Sequence, residues 1–145
     1  MFQHILLPTD GSLLSAAAVE SGIDLARDAG AKVTVVTVVE AVQLWWTRSA
    51  QPREDTATVQ GHANEQVRHH LAELERKAEA QGVPCTLLQV EHEHPYRAII
   101  DTAKKSGCDL IAMASHARRG VGAVVVGSET TKVLTHSSIP VLVYR

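Results

Sequence analysis

Short, uninterrupted aliphatic runs are what most limit the fold of this chain. Ile5-Leu6-Leu7 stops at Pro8, Lys32 to Val39 is almost all Val and Thr, and Pro84 to Val90, Leu110 to Ala114 and Pro140 to Tyr144 complete the set. A strand with one wet face alternates apolar with polar residues, whereas a strand covered on both faces reads as a continuous apolar run. Between the runs, apolar residues recur at helical spacing. Ala16, Val19, Ile23 and Ala26 form one stripe, ending at Ala29-Gly30. Val67, Leu71, Leu74 and Ala78 form another, within a polar helix from His62 to Gln81 that Gly82 breaks. Pro95 opens a third helix, where its missing N–H costs nothing; Ala98, Ile99, Thr102 and Ala103 make its apolar face and Gly107 closes it. A fourth runs from Gly127 to His136. Strands alternating with helices give an α/β fold, a mostly parallel sheet with helices on both faces.

A length of 145 residues suits one domain over 1–145. Aromatics are only 3%, so the core is aliphatic. A net charge of -2 argues against broad contact with a phosphate backbone, and no nucleic-acid partner is expected. Cys85 and Cys108 show neither metal-type spacing nor CxxC, and read as buried thiols of a reducing compartment. No signal-peptide pattern opens the chain and no apolar run is long enough to span a bilayer. The expectation is a soluble cytoplasmic protein with no membrane partner.

One connection is long for such a fold. Glu40 to about Gly61 shows no clear periodicity and carries Trp45-Trp46 and Pro52. Long connections without structure of their own are usually functional or mobile. Two readings stand: a variable surface loop whose tryptophans pack on their own domain, or a lid or docking loop anchored by them.

Ligands of open α/β sheets sit beyond the carboxyl ends of strands, where the strand order reverses. The first strand ends in Pro8-Thr9-Asp10, and the fourth in Met113-Ala114-Ser115-His116-Ala117. If these strands are neighbours, Asp10 lies beside a loop of small residues and can accept hydrogen bonds from ribose hydroxyls. Backbone at 114–117 can approach a base or sugar closely. The helix start at Gly127, Ser128, Glu129 and Thr130 offers amides and hydroxyls to phosphate oxygens. Each feature also has a purely structural reading. Asp10 caps the first helix or braces a turn, and Ser128 is a good N-cap with Glu129 and Thr130 in the first helical turn. Arg118 and Arg119 add positive charge nearby, and Gly120 and Gly122 add flexible points.

Other constellations carry less. His92-Glu93-His94 puts two imidazoles on one face if extended, but no spacing identifies a third metal ligand. His69-His70 reads as part of a solvated helix face, and His116 as a loop imidazole that faces either ligand or water. There is no G-x-S-x-G, no G-x-x-x-x-G-K-[ST] and no G-x-G-x-x-G after the first strand. The first strand also ends in a single Asp, where a receiver domain has an acidic pair.

The chain resembles the universal stress proteins of the small single-domain kind. The resemblance rests on His4-Ile-Leu-Leu-Pro-Thr-Asp-Gly-Ser, on Asp109-Leu-Ile-Ala-Met, and on the Gly127-Ser128 helix leading into Ile139-Pro-Val-Leu-Val. It implies a doubly wound five-stranded parallel sheet of order 3-2-1-4-5 and a homodimer joined through the last strand. It also implies a motif G-x2-G-x9-G-[ST] holding ATP, with or without Mg2+. Placed on this chain, the motif puts Ala114 and Ala117 where the leading glycines stand, keeps Gly127-Ser128, and matches the second-strand backbone contact to Val38. Alanine at a position needing positive φ costs roughly 1 kcal/mol or more.

Together these readings describe a dimeric stress-response binding and signalling module with an unidentified protein partner. It holds ATP or a related adenine nucleotide at Pro8, Thr9, Asp10, Val38, 113–117 and 127–130, and occupancy orders the Trp45-Trp46 loop. The alternatives are a ligand-free dimeric interaction module with the same fold, and a slow ATPase for which no residue is an obvious general base.

Overall fold

The aliphatic runs become five parallel strands in a computed structural model that describes residues 1–10, 13–40, 54–115 and 127–145. The elements are β1 (His4–Pro8), α1 (Leu13–Ala29), β2 (Lys32–Glu40), α2 (Glu54–Ala80), β3 (Cys85–His92), α3 (Pro95–Ser106), β4 (Leu110–Ala114), α4 (Ser128–His136) and β5 (Val141–Tyr144). The sheet order is β3-β2-β1-β4-β5, the order the family resemblance implies.

The sheet has a core on each face because successive side chains point to opposite sides. Ile5, Leu7, Val33, Val35, Leu110 and Ala112 face α1 and α2, meeting Val19, Ile23, Leu71 and Leu74. Leu6, Val36, Ile111 and Met113 face α3 and α4, meeting Ile99, Ala103 and Val133. Both sets are aliphatic, and all six β-strand residues of the first are 3% exposed or less. Gly22 lets α1 lie directly on β1, since a Cβ there would stand 2.3 Å from Leu7 Cδ2. Gly107 closes α3 in the left-handed region, φ 73°, with its N–H on the Ala103 and Lys104 carbonyls.

Strand lengths differ in a way that shapes the carboxyl edge. The β1–β2 ladder ends at Pro8↔Val36. The β2–β3 ladder continues to Glu40↔His92. Thr9 N–H donates to Val36 O at 2.9 Å, so even-numbered residues of β2 turn their peptide groups toward β1. Val38, the next even residue, turns its peptide groups toward the space beyond the paired part of β1.

Several boundaries differ from expectation. α2 begins at Glu54, so the stretch before His62 is helical in part rather than all loop. That segment mixes Glu54, Ala57 and Gln60 with the weak helix formers Asp55, Thr56, Thr58, Val59 and Gly61, so its sequence does not mark a helix. β3 runs to His92, and α4 begins at Ser128 with Gly127 as its N-cap. β5 begins at Val141; Pro140 precedes it, yet its carbonyl still accepts the Ile111 N–H at 2.9 Å.

The opposite, amino edge of the sheet is closed by Asp109. Its carboxylate accepts the Gln3 and His4 N–H groups at 2.8 and 3.0 Å. Burial pushes its carboxyl pKa up, but these amides outweigh burial and hold it below the ordinary value. His4 Nε2 bonds Thr34 Oγ1 at 2.8 Å. Burial, and then the Lys32 cation, lower the His4 pKa below 6.5 despite Asp109. The neutral imidazole therefore belongs to the folded state, while the unfolded chain takes up a proton first as pH falls. His4 is thus expected to lower the melting temperature as pH drops from about 7 through its unfolded value near 6.5. His4→Gln, which cannot titrate, should flatten that part of a thermal-melt pH series; an unchanged slope would clear His4 of the effect.

Candidate functional site

A hollow of about 260 Å³ opens at the carboxyl edge, lined by residues of β1, β2, β4 and the starts of α1, α3 and α4. It lies where the strand order reverses, between β1 and β4, which pair directly through Ile5↔Leu110 and Leu6↔Ile111. Its volume falls between a cavity that holds benzene, about 150 Å³, and the range of drug-sized sites, about 300–1,000 Å³. Val36, Val38, Ile99 and Met113 supply apolar wall, while Asp10, Glu129 and Thr130 supply polar groups.

Asp10 reaches the rim because β1 stops at Pro8 and the chain turns toward α1. Thr9 is buried and Asp10 exposed. Ser15 Oγ donates to Asp10 Oδ1 at 2.8 Å and lies 3.0 Å from Thr9 Oγ1. With its own proton committed to Asp10, Ser15 accepts from Thr9. Asp10 therefore does brace the β1–α1 turn, and its position on the rim of the hollow is the second property of the same side chain.

The end of β4 is tied to the start of α4 by side chains. Ser115 is buried; its N–H donates to Tyr144 O at 2.8 Å and its Oγ accepts the Gly127 N–H at 3.2 Å. Thr130 is buried too, and its hydroxyl donates to the Ala114 carbonyl at 3.2 Å. The Thr130 proton is thus spent on β4 rather than presented to a ligand. Ala114 is buried, and no residue other than glycine has positive φ among the described residues. Alanine at 114 therefore carries no backbone strain, and only the space taken by its methyl separates it from glycine.

The expectation that Ser128 caps its helix is corrected. Gly127 is the N-cap, without a side-chain cap bond, and Ser128 is the exposed first helical residue. Ser115 holds Gly127 in place by its N–H, so glycine serves at the cap without a side chain of its own. The helical ladder starts with Thr131 N–H to Gly127 O at 2.9 Å. The N–H groups of Ser128, Glu129 and Thr130 therefore have no acceptor within the helix, and they meet the positive end of its dipole.

Glu129 does something its position does not announce. Its Oε2 accepts the Tyr96 N–H at 3.2 Å and its Oε1 pairs with Lys132 Nζ at 3.3 Å. Tyr96 is in the first turn of α3, where His94 stands at the N-cap without a side-chain bond. One carboxylate from α4 thus caps α3.

Pro8, Thr9, Asp10, Val38, Met113, Ala114, Glu129 and Thr130 all line the hollow. Ser115 and Gly127 are bonded to each other beside it, and Ser128 precedes the lining residue Glu129 in the chain. His116, Ala117, Arg118, Arg119, Gly120, Gly122 and the Trp45-Trp46 pair lie outside the described residues. Ser15, Val36, Pro95 and Ile99 also line it and were not anticipated. Pro95 carried a usable signal: in parallel α/β units a helix that follows a strand starts at the carboxyl edge, beside every other such start.

The remaining constellations settle into structural roles. His92 Nδ1 accepts the His94 N–H at 2.8 Å, so one imidazole nitrogen is already in use. Among the described residues no group of three or more His, Cys, Asp and Glu is placed to hold a metal. The solvated reading of His69-His70 holds for His69 alone; His70 Nε2 is buried without a hydrogen-bond partner. Cys108 is buried and Cys85 half-buried, and burial pushes both thiols up to about 11, leaving them protonated at neutral pH. No helix among the described residues is long and apolar enough to cross a membrane.

Known proteins resemble this chain in sequence and in fold. Over 149 residues the chain is 28% identical to the universal stress protein YxiE of Bacillus subtilis, covering 100% of both. A universal stress protein solved in complex with cAMP superposes with a TM-score of 0.72 at 21% identity, over 99% of this chain and 97% of that one. The universal stress protein from Archaeoglobus fulgidus in complex with dAMP superposes with a TM-score of 0.65 at 16% identity, over 100% and 98%. A model of the universal stress protein family matches residues 1–145, and the chain belongs to that family.

Proposed function

We propose that this chain is a dimeric binding and signalling module of the stress response that takes an adenine nucleotide into the hollow beyond β1 and β4. The observation that carries the reading is the hollow itself: a largely apolar hollow at the strand-order reversal, with Asp10, Glu129 and Thr130 in its lining and the start of α4 beside it. Asp10 holds the ribose, Val38 offers peptide groups to the base, and Met113 to Ala117 form the floor. The backbone of Gly127 to Thr130 takes phosphate. ATP, with or without magnesium, is the fullest form of this reading. That two proteins of the same fold were solved with cAMP and with dAMP supports an adenine ligand.

A ligand-free interaction module is the second reading, favoured by alanine at 114 and 117. The ordinary φ at Ala114 weakens that argument at one of the two positions. Calorimetric titration with AMP, cAMP and ATP, alongside analysis of nucleotide that co-purifies, separates the two. Binding in the micromolar to millimolar range is expected; no heat and no thermal shift at millimolar ligand from any of the three would leave only the interaction module.

The dimer is part of the proposal. β5 is an edge strand, and Leu142 on it is exposed. An apolar edge strand is a template for pairing with a copy of itself.

A further inference from the structure

Glu129 is the acidic residue in the first turn of α4, and its side chain lines the hollow. Its carboxylate caps Tyr96 N–H on α3 and pairs with Lys132 on α4. The start of α3 thus already has an anion, supplied from within the chain. The same charge sits beside the free amides of α4, where a phosphate would gather. Asp10 brings a second carboxylate to the lining, and no Lys or Arg is among the described lining residues. Each further phosphate charge on a ligand meets the Glu129 carboxylate, which pairs with Lys132 Nζ at 3.3 Å. Glu129 is 41% exposed, so water screens part of this repulsion.

We propose that Glu129 makes this site select adenine ligands of low phosphate charge, a nucleoside monophosphate or cyclic monophosphate, over the triphosphate. The inference rests on the nucleotide reading above and narrows its ligand. It is tested by calorimetry in magnesium-free buffer with AMP and ATP on the parent chain, Glu129→Gln and Lys132→Met. The parent should bind AMP at least tenfold more tightly than ATP. Glu129→Gln keeps an acceptor for Tyr96 N–H and loses the charge, so it should narrow that ratio at least fivefold, chiefly by tightening ATP. Lys132→Met leaves the carboxylate without its cation and should widen the ratio. Equal affinity for AMP and ATP in the parent, or a ratio that Glu129→Gln does not move while AMP still binds, overturns the selection by Glu129 and leaves the nucleotide site standing. Binding of neither ligand to any of the three chains overturns the nucleotide reading, and this inference with it.

Discussion

Ser128→Asp is expected to melt no lower than the parent chain and to bind AMP at least tenfold more weakly. The two effects have one cause with opposite signs. Ser128 is exposed and is the first residue of α4, and Gly127 before it contributes no side-chain cap. A carboxylate in a first helical turn is favourable by about 0.3–1 kcal/mol. The fold therefore gains slightly or is unmoved. The same carboxylate stands among the amides assigned to phosphate. Two unit charges about 5 Å apart repel by about 3 kcal/mol at an effective dielectric of about 20, and a tenfold loss needs only about 1.4 kcal/mol. Ser128→Ala should leave both properties near the parent's, because the proposal uses the backbone at this position. Thermal melts and calorimetry on the same preparations check it. A higher melting temperature with unchanged AMP affinity would move the phosphate away from α4.

Val143→Pro should convert the dimer to monomer with little loss in the stability of the protomer. Register explains why. Ile111 N–H donates to Pro140 O and Ser115 N–H to Tyr144 O, at 2.9 and 2.8 Å. Even-numbered residues of β5 thus face β4, and Val141 and Val143 turn their peptide groups to the free edge. Proline at 143 removes an N–H that makes no bond to β4, and edge strands tolerate it. In a two-fold pairing of β5 with its copy the lost donor counts twice. At about 1–3 kcal/mol for each partner left unmet, the pair costs about 2–6 kcal/mol, a weakening of roughly thirtyfold to twenty-thousandfold. Sedimentation at micromolar concentration reads the outcome. A parent chain that is already monomeric there removes the dimer, and a variant that stays dimeric moves the interface off β5.

What the amino-acid order determined by itself is the set of elements and where they bury. Continuous runs such as Ile5-Leu6-Leu7 marked strands covered on both faces, and Gly107 marked the end of α3, because each depends on neighbours a few residues apart. The start of α2 was not legible, since residues 54–61 carry neither an apolar stripe nor a run of strong helix formers. At the site, the edge position of Asp10 and Ala114 was readable as strand ends, but their adjacency needed β4 to pair with β1, and alternating elements alone leave that pairing open. Only the tertiary structure decided the rest: that Ser15 and Asp10 share a proton bond, that Ser115 lets glycine cap α4, and that Glu129 serves α3. An acid in a first turn reads locally as a complement to its own helix dipole. Its real acceptor role lies 33 residues away in the chain, and such a contact exists only once two helices have been packed side by side on one face of the sheet.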